Sequence, residues 1–128
     1  MAFTTDYSEF GFEHDPIVIR STIDTIKGGV ALDVTDFPDE YIRAGHVIIC
    51  DDATGSVYKP MPVADGAYDT LPSGYHYAGV LISSIKTDEP LAAVLTIGEV
   101  NDKTLPYPID TIKSAFKAAV PTINWAHD

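Results

Sequence analysis

Five residues, Asp51-Asp52-Ala53-Thr54-Gly55, separate the β-prone run Val47-Ile48-Ile49-Cys50 from a second such run, Ser56-Val57-Tyr58-Lys59. A short loop of turn formers closed by Gly between two such runs predicts a β-hairpin. Similar punctuation recurs along the chain. Gly28-Gly29 breaks the run that starts at Ile17-Val18-Ile19, and Val30, Leu32 and Val34 then alternate toward one face. Asp36-Phe37-Pro38-Asp39 reads as a loop, and Ala44-Gly45 leads into a strand from His46 to Cys50. Pro60 and Pro62 end the second hairpin strand, while Asp65-Gly66 and Pro72-Ser73-Gly74 bracket a long loop. Tyr75 to Ile82 reads as a buried strand. Leu91 to Ile97 is the most apolar and belongs near the centre, with Gly98 as a bulge before Glu99-Val100-Asn101. The fold class expected from this pattern is mainly β.

After Pro106-Tyr107-Pro108 the period changes. Ile109, Ile112, Phe116 and Val120 fall on one helical face, with Ala115 and Ala119 beside it. Pro108 suits a helix start and Pro121 a stop, so one short C-terminal helix is expected over about residues 109–120. The stretch from Met1 to Pro16 has no clean period. Its aromatics, Phe3, Tyr7, Phe10 and Phe12, stand among acids and small polar residues and cannot make a core of their own. They read either as part of a disordered terminus or as anchors of an arm that docks onto another chain.

The 128 residues amount to one domain, with room for an arm outside its core. Nineteen acidic against eight basic side chains leave a net charge of −11, which disfavours nucleic acid and anionic membrane surfaces as partners. Cys50 is the only cysteine, so no intrachain disulfide framework exists, and it reads as a small buried hydrophobe. The first residues lack the basic start and apolar run of a signal peptide, and no segment approaches the roughly 20 apolar residues of a membrane span. Synthesis and folding in a cytoplasm are expected.

The search for chemistry yields little. His14, His46, His76 and His127 lack metal-ligand spacing and read as surface or edge residues. His46 and Cys50 share a strand face but stand on the order of 13 Å apart along it, too far for a nucleophile and its base. The acids Asp33, Asp36, Asp39 and Glu40, and the pair Asp51 and Asp52, do not match the calcium-loop pattern and read as solvated loops. Lys27-Gly28-Gly29 is not a phosphate loop, and no Gly-x-Ser-x-Gly elbow exists. Neither a catalytic residue, a metal site nor a cofactor is expected, and the chain reads as a non-enzyme.

Four segments in order carry a resemblance: Ile42-Arg43-Ala44-Gly45-His46-Val47-Ile48, Val57-Tyr58-Lys59-Pro60, Tyr77-Ala78-Gly79-Val80-Leu81 and Leu95-Thr96-Ile97-Gly98-Glu99-Val100-Asn101. Their order resembles that of the head decoration and head fibre proteins of tailed bacteriophages. Pro106-Tyr107-Pro108 with a short helix, ending near Asn124-Trp125, is similar to head fibre proteins of phages from gut Bacteroidetes-type hosts. The resemblance spans roughly residues 30–125. It implies a small β-barrel or β-tulip-like domain, residues 27–128, bound as a homotrimer to the outer surface of the assembled capsid. Residues 1–26 would be the docking arm on the major capsid protein, with Phe3, Tyr7, Phe10, Phe12, Ile17, Val18 and Ile19 as capsid-binding residues. A decoration protein, or a fibre's capsid-binding base, fits the length. The competing expectation is a carbohydrate- or receptor-binding module, which requires Tyr68, Tyr75 and Tyr77 to be exposed. A trimeric β-fold nucleotide hydrolase would need an Asp with Tyr-Arg-Gly motifs, and the sequence has no such cluster.

Overall fold

The computed structural model describes residues 15–35 and 37–126. The fold is mainly β. A single helical turn, α1 (Asp15–Val18), precedes twelve strands: β1 (Ile19–Thr25), β2 (Val30–Ala31), β3 (Tyr41–Ile42), β4 (Val47–Asp51), β5 (Tyr58–Pro60), β6 (Val63–Ala64), β7 (Ala67–Tyr68), β8 (Tyr75–Leu81), β9 (Ile85–Lys86), β10 (Leu91–Ala92), β11 (Val94–Asn101) and β12 (Ile123–Ala126). One helix, α2 (Lys113–Ala119), lies between the last two strands.

The main sheet runs β1-β11-β8-β4-β5, with β12 also paired to β11. Among the described residues it is open rather than closed, so the barrel implied by the resemblance is not formed. Three two-stranded sheets, β2–β10, β3–β9 and β6–β7, complete the pairing among the described residues. β11 is the hub. Along one edge it pairs antiparallel with β1. Its other edge is shared, with β8 on Val94 and Leu95 and β12 on residues 98–101. β12 is parallel to β11, and the 102–122 connection carrying α2 supplies the long crossover that parallel strands need.

Two buried clusters sandwich this sheet. Val47 and Ile49 face a cluster with Tyr77, Leu95, Val100, Phe116, Ile123 and Trp125, whereas Ile48 faces Leu32, Ile42, Leu81 and Val94. Burial on both faces explains why β4 reads as a continuous apolar run rather than an alternation. The helical face expected from periodicity is the face that packs. Ile109, Ile112, Phe116 and Val120 are buried, and the Phe116 ring meets Tyr77 and Trp125 at 5.5 and 5.4 Å. The helix itself is shorter than residues 109–120, because the chain after Pro108 first makes turns.

The predicted hairpin is β4–β5, in register Ile48↔Pro60, Ile49↔Lys59 and Cys50↔Tyr58. The Asp51 carboxylate organises its loop. It accepts from the Thr54 N–H and hydroxyl (2.9 and 2.6 Å) and from the Ser56 and Val57 N–H groups (3.1 and 2.9 Å). The Gly98 bulge is relocated. Extra residues fall at Arg20 and Ile23 on β1 and at Thr96 on β11, where the register shifts. Gly98 is instead where the strands touch, since a Cβ there would strike the Ser21 carbonyl.

The expected arm boundary at residue 26 does not match this architecture. β1 lies wholly within residues 1–26, yet it pairs along β11 of its own chain, so the described domain already includes residues 15–26. The apolar surface of β11 supplies the reason, as Val18 and Ile19 find it within the molecule.

Candidate functional site

Among the described residues, the chemistry-bearing group most removed from solvent is His46, at 1% exposure. The chain reaches it through Ala44-Gly45, where Gly45 has φ of 92° and a Cβ would come within 2.8 Å of Val18 Cγ1 and 2.9 Å of Leu105 Cδ2. Only glycine suits both that backbone and that gap. The sharp bend, held by His46 N–H donating to the Arg43 carbonyl (3.1 Å) and Gly45 N–H to that of Leu81 (2.8 Å), turns the imidazole inward at the start of β4.

The imidazole Nε2–H donates to the Met61 carbonyl at 2.9 Å. A carbonyl can only accept, so Nε2 carries the proton. Burial holds the pKa down at about 4, and the ring is therefore neutral near pH 7 with a bare lone pair on Nδ1. That atom is buried and has no hydrogen-bond partner among the described residues. Three rings, Phe37, Tyr68 and Tyr107, stand edge-on to the imidazole at 5.4, 5.3 and 5.6 Å. The Tyr68 hydroxyl oxygen accepts from the Val47 N–H at 3.0 Å, and burial pushes its pKa up.

A cavity of about 100 Å³ opens against this group, walled by Phe37, Asp39, Tyr41, Arg43, His46, Pro106 and Tyr107. Two loops that are distant in sequence meet here, one before β3 and the other between β11 and α2. The Arg43 guanidinium lies over the Tyr41 ring, 5.9 Å from its centre. Tyr107 also walls a second, larger hollow of about 330 Å³ with Asp102, Lys103, Leu105 and Asp110.

The expected site residues are placed as follows. Phe3, Tyr7, Phe10 and Phe12 lie outside the described residues. Ile17 is half exposed, Val18 is in the core at 1% exposure, and Ile19 packs partly against that core. Val18 therefore has no side-chain surface left for a partner. The expectation of surface or edge histidines fails for His46. His76 is exposed and sits 2.6 Å from Asp52, while His14 and His127 lie outside the described residues. Tyr68 and Tyr77 are buried, so they do not form the exposed tyrosine platform that a glycan-binding module would need with Tyr75.

Cys50 is buried and its thiol pKa is raised by desolvation; His46 Nε2 is bonded to the Met61 carbonyl rather than to Cys50. Asp33 spends its carboxylate on Thr35, accepting from its N–H at 3.1 Å and its hydroxyl at 2.5 Å. Among the described residues no three His, Cys, Asp or Glu side chains gather as a metal-ligand set, and no helix is long and apolar enough to cross a membrane. The aromatic cage went unread in the sequence because Phe37, Tyr68 and Tyr107 lie in three separate loops or short strands. The one local signal was the Ala-Gly step before an inward-facing histidine. No family model matches the chain, and no curated protein or solved structure is significantly similar to it.

Proposed function

We propose that this chain is a structural virion protein that binds the outer surface of a phage capsid, as a decoration protein or the capsid-binding base of a head fibre. The observation that carries the reading is the order of the four resembling segments together with their position. Residues 42–48 run from the end of β3 into β4, 57–60 contain β5, 77–81 belong to β8 and 95–101 to β11. They occupy the consecutive strands β11-β8-β4-β5 of the main sheet, so the resemblance concerns the spine of the domain rather than scattered loops. The net charge of −11 supports a partner that is basic at the contact.

In this reading the protein acts as a homotrimer that cements the head. Several modest contacts to the major capsid protein act together through effective concentration. Binding only to the assembled shell stabilises that shell by mass action. The anchors are Phe3, Tyr7, Phe10 and Phe12, joined by the half-exposed Ile17. The protein is made in the host cytoplasm and carried on the virion.

Because β1 belongs to the domain, the informative deletion stops at residue 14. The full chain is expected to co-sediment with expanded heads of its phage, and the chain lacking residues 1–14 is expected to stay in the supernatant. Equal co-sedimentation of the two would remove the aromatic anchors from the proposal, and failure of the full chain to bind would remove the capsid role.

A further inference from the structure

We infer that Asp65 is a site of spontaneous backbone modification, isomerising to isoaspartate through a cyclic imide formed with Gly66. The inference is independent of the capsid reading. The chain holds one Asp-Gly step, and every other aspartate with a successor is followed by a residue that carries a side chain. A side chain on the successor crowds its nitrogen, whereas glycine leaves that nitrogen open to close approach. Asp65 and Gly66 are both exposed, and a Cβ at Gly66 would meet nothing within 4 Å. Among the described residues Asp65 is the one non-glycine with a positive φ, 53°. No partner among them holds its carboxylate. By contrast, Asp33, Asp51, Asp52 and Asp102 are engaged by Thr35, Thr54, His76 and Lys113.

In the first step the Gly66 nitrogen attacks Asp65 Cγ. The N–Cγ bond forms, the Cγ–OH bond breaks, and the hydroxyl leaves as water with the amide proton. Water then adds at the Asp65 main-chain carbonyl and breaks its bond to the nitrogen, which stays on Cγ. One water leaves and one returns, so the step needs no oxidant, reductant or co-reactant. The nitrogen reaches Cγ only when the turn opens. β6 and β7 have two residues each, and so small a hairpin opens far more often than the domain unfolds. The product carries Cβ in the main chain, which lengthens a two-residue loop by one atom. That loop sets the register Val63↔Tyr68 and Ala64↔Ala67. Val63 packs partly against the core, and the buried Tyr68 hydroxyl oxygen accepts from the Val47 N–H, so isomerisation loosens a strand pair that touches the core.

Ageing the full chain for weeks at physiological temperature and pH tests this directly. Isoaspartate is counted by methyl transfer from labelled S-adenosylmethionine with an isoaspartyl methyltransferase, and located by electron-transfer fragmentation. It is expected to accumulate at residue 65 ahead of every other aspartate, with the mass of the chain unchanged. Gly66→Ala crowds the attacking nitrogen and is expected to bring residue 65 down to the level of the other aspartates. Asp65→Asn closes the same imide by losing ammonia instead of water, and is expected to form isoaspartate sooner than the wild type. Asparagine tolerates a positive φ, so this variant keeps the test readable should Gly66→Ala distort the turn. No isoaspartate at residue 65, its earlier appearance at another aspartate, or an undiminished yield in Gly66→Ala overturns the inference.

Discussion

His46 carries the clearest pH prediction. In the unfolded chain an imidazole titrates near 6.5, whereas burial holds it at about 4 in the fold. Between those values the unfolded chain binds the proton more readily, so acid favours unfolding. The contribution of this group is complete above about pH 6.5 and is lost as pH falls toward 4, a loss on the order of 3 kcal/mol. Urea midpoints measured across that window are expected to fall with pH in the wild type, and the slope is expected to vanish in His46→Gln. The carboxylates act lower down. Hydrogen bonds from Thr35 hold Asp33 below the usual carboxylate range, and those from Thr54, Val57 and Ser56 do the same for Asp51. Their contributions are present above the ordinary carboxylate pKa and disappear only as pH falls through the depressed values. Asp51→Ala is expected to lower Tm and remove part of the acid-limb transition below pH 4, as thermal melts read at each pH would show.

At the scale of elements, stability concentrates where β11 meets its neighbours. Gly79 on β8 abuts β11 so closely that a Cβ would collide with the Leu95 carbonyl. Backbone cannot give way as a side chain does, so Gly79→Ala is expected to cost about 1–3 kcal/mol in urea unfolding. α2 is short and depends on packing rather than propensity. Phe116, fully buried between Tyr77 and Trp125, is its anchor, and Phe116→Ala is expected to cost roughly 3–5 kcal/mol. The same variant should weaken β12, since the helix lies in the crossover that lays β12 beside β11. Faster amide exchange at residues 123–126 than elsewhere in the sheet would register this. The β6–β7 hairpin turns at Asp65-Gly66, with φ of 53° and 76°. That dipeptide is a strong local hairpin signal, and the two short strands it joins lie within what the surrounding Pro and Gly residues mark as a long loop.

At the scale of the molecule, two truncations differ in whether they remove β1. Removing residues 1–14 keeps α1 and β1, whereas removing residues 1–26 strips β1 from the edge of β11 and exposes the core that Val18 helps to close. The longer deletion is expected to lose cooperative thermal unfolding, and the shorter one to keep it, as calorimetry of the two would reveal. The net charge of −11 bears on assembly as well. Acidic subunits repel one another, so self-association of the proposed trimer is expected to strengthen with salt, a trend that sedimentation velocity at low and high ionic strength can read.

The sequence by itself determined the features that rest on neighbours along the chain. These include the β4–β5 hairpin with its Asp-rich turn, the apolar strands β8 and β11, the stop before Pro121 and the buried helical face through Ile112 and Phe116. Each follows from local period or turn chemistry, which a reader of residues can see. Only the tertiary structure decided what depends on which surfaces meet. It drew β1 onto β11 rather than into a free arm, laid β12 parallel beside the same strand, and left the sheet open. The His46 cavity belongs with these, because its walls come from loops distant in sequence that close only when β4 and β11 share one sheet. Period and propensity describe a segment's own faces, whereas long-range pairing is fixed by which buried surfaces compete for one another once the whole chain collapses.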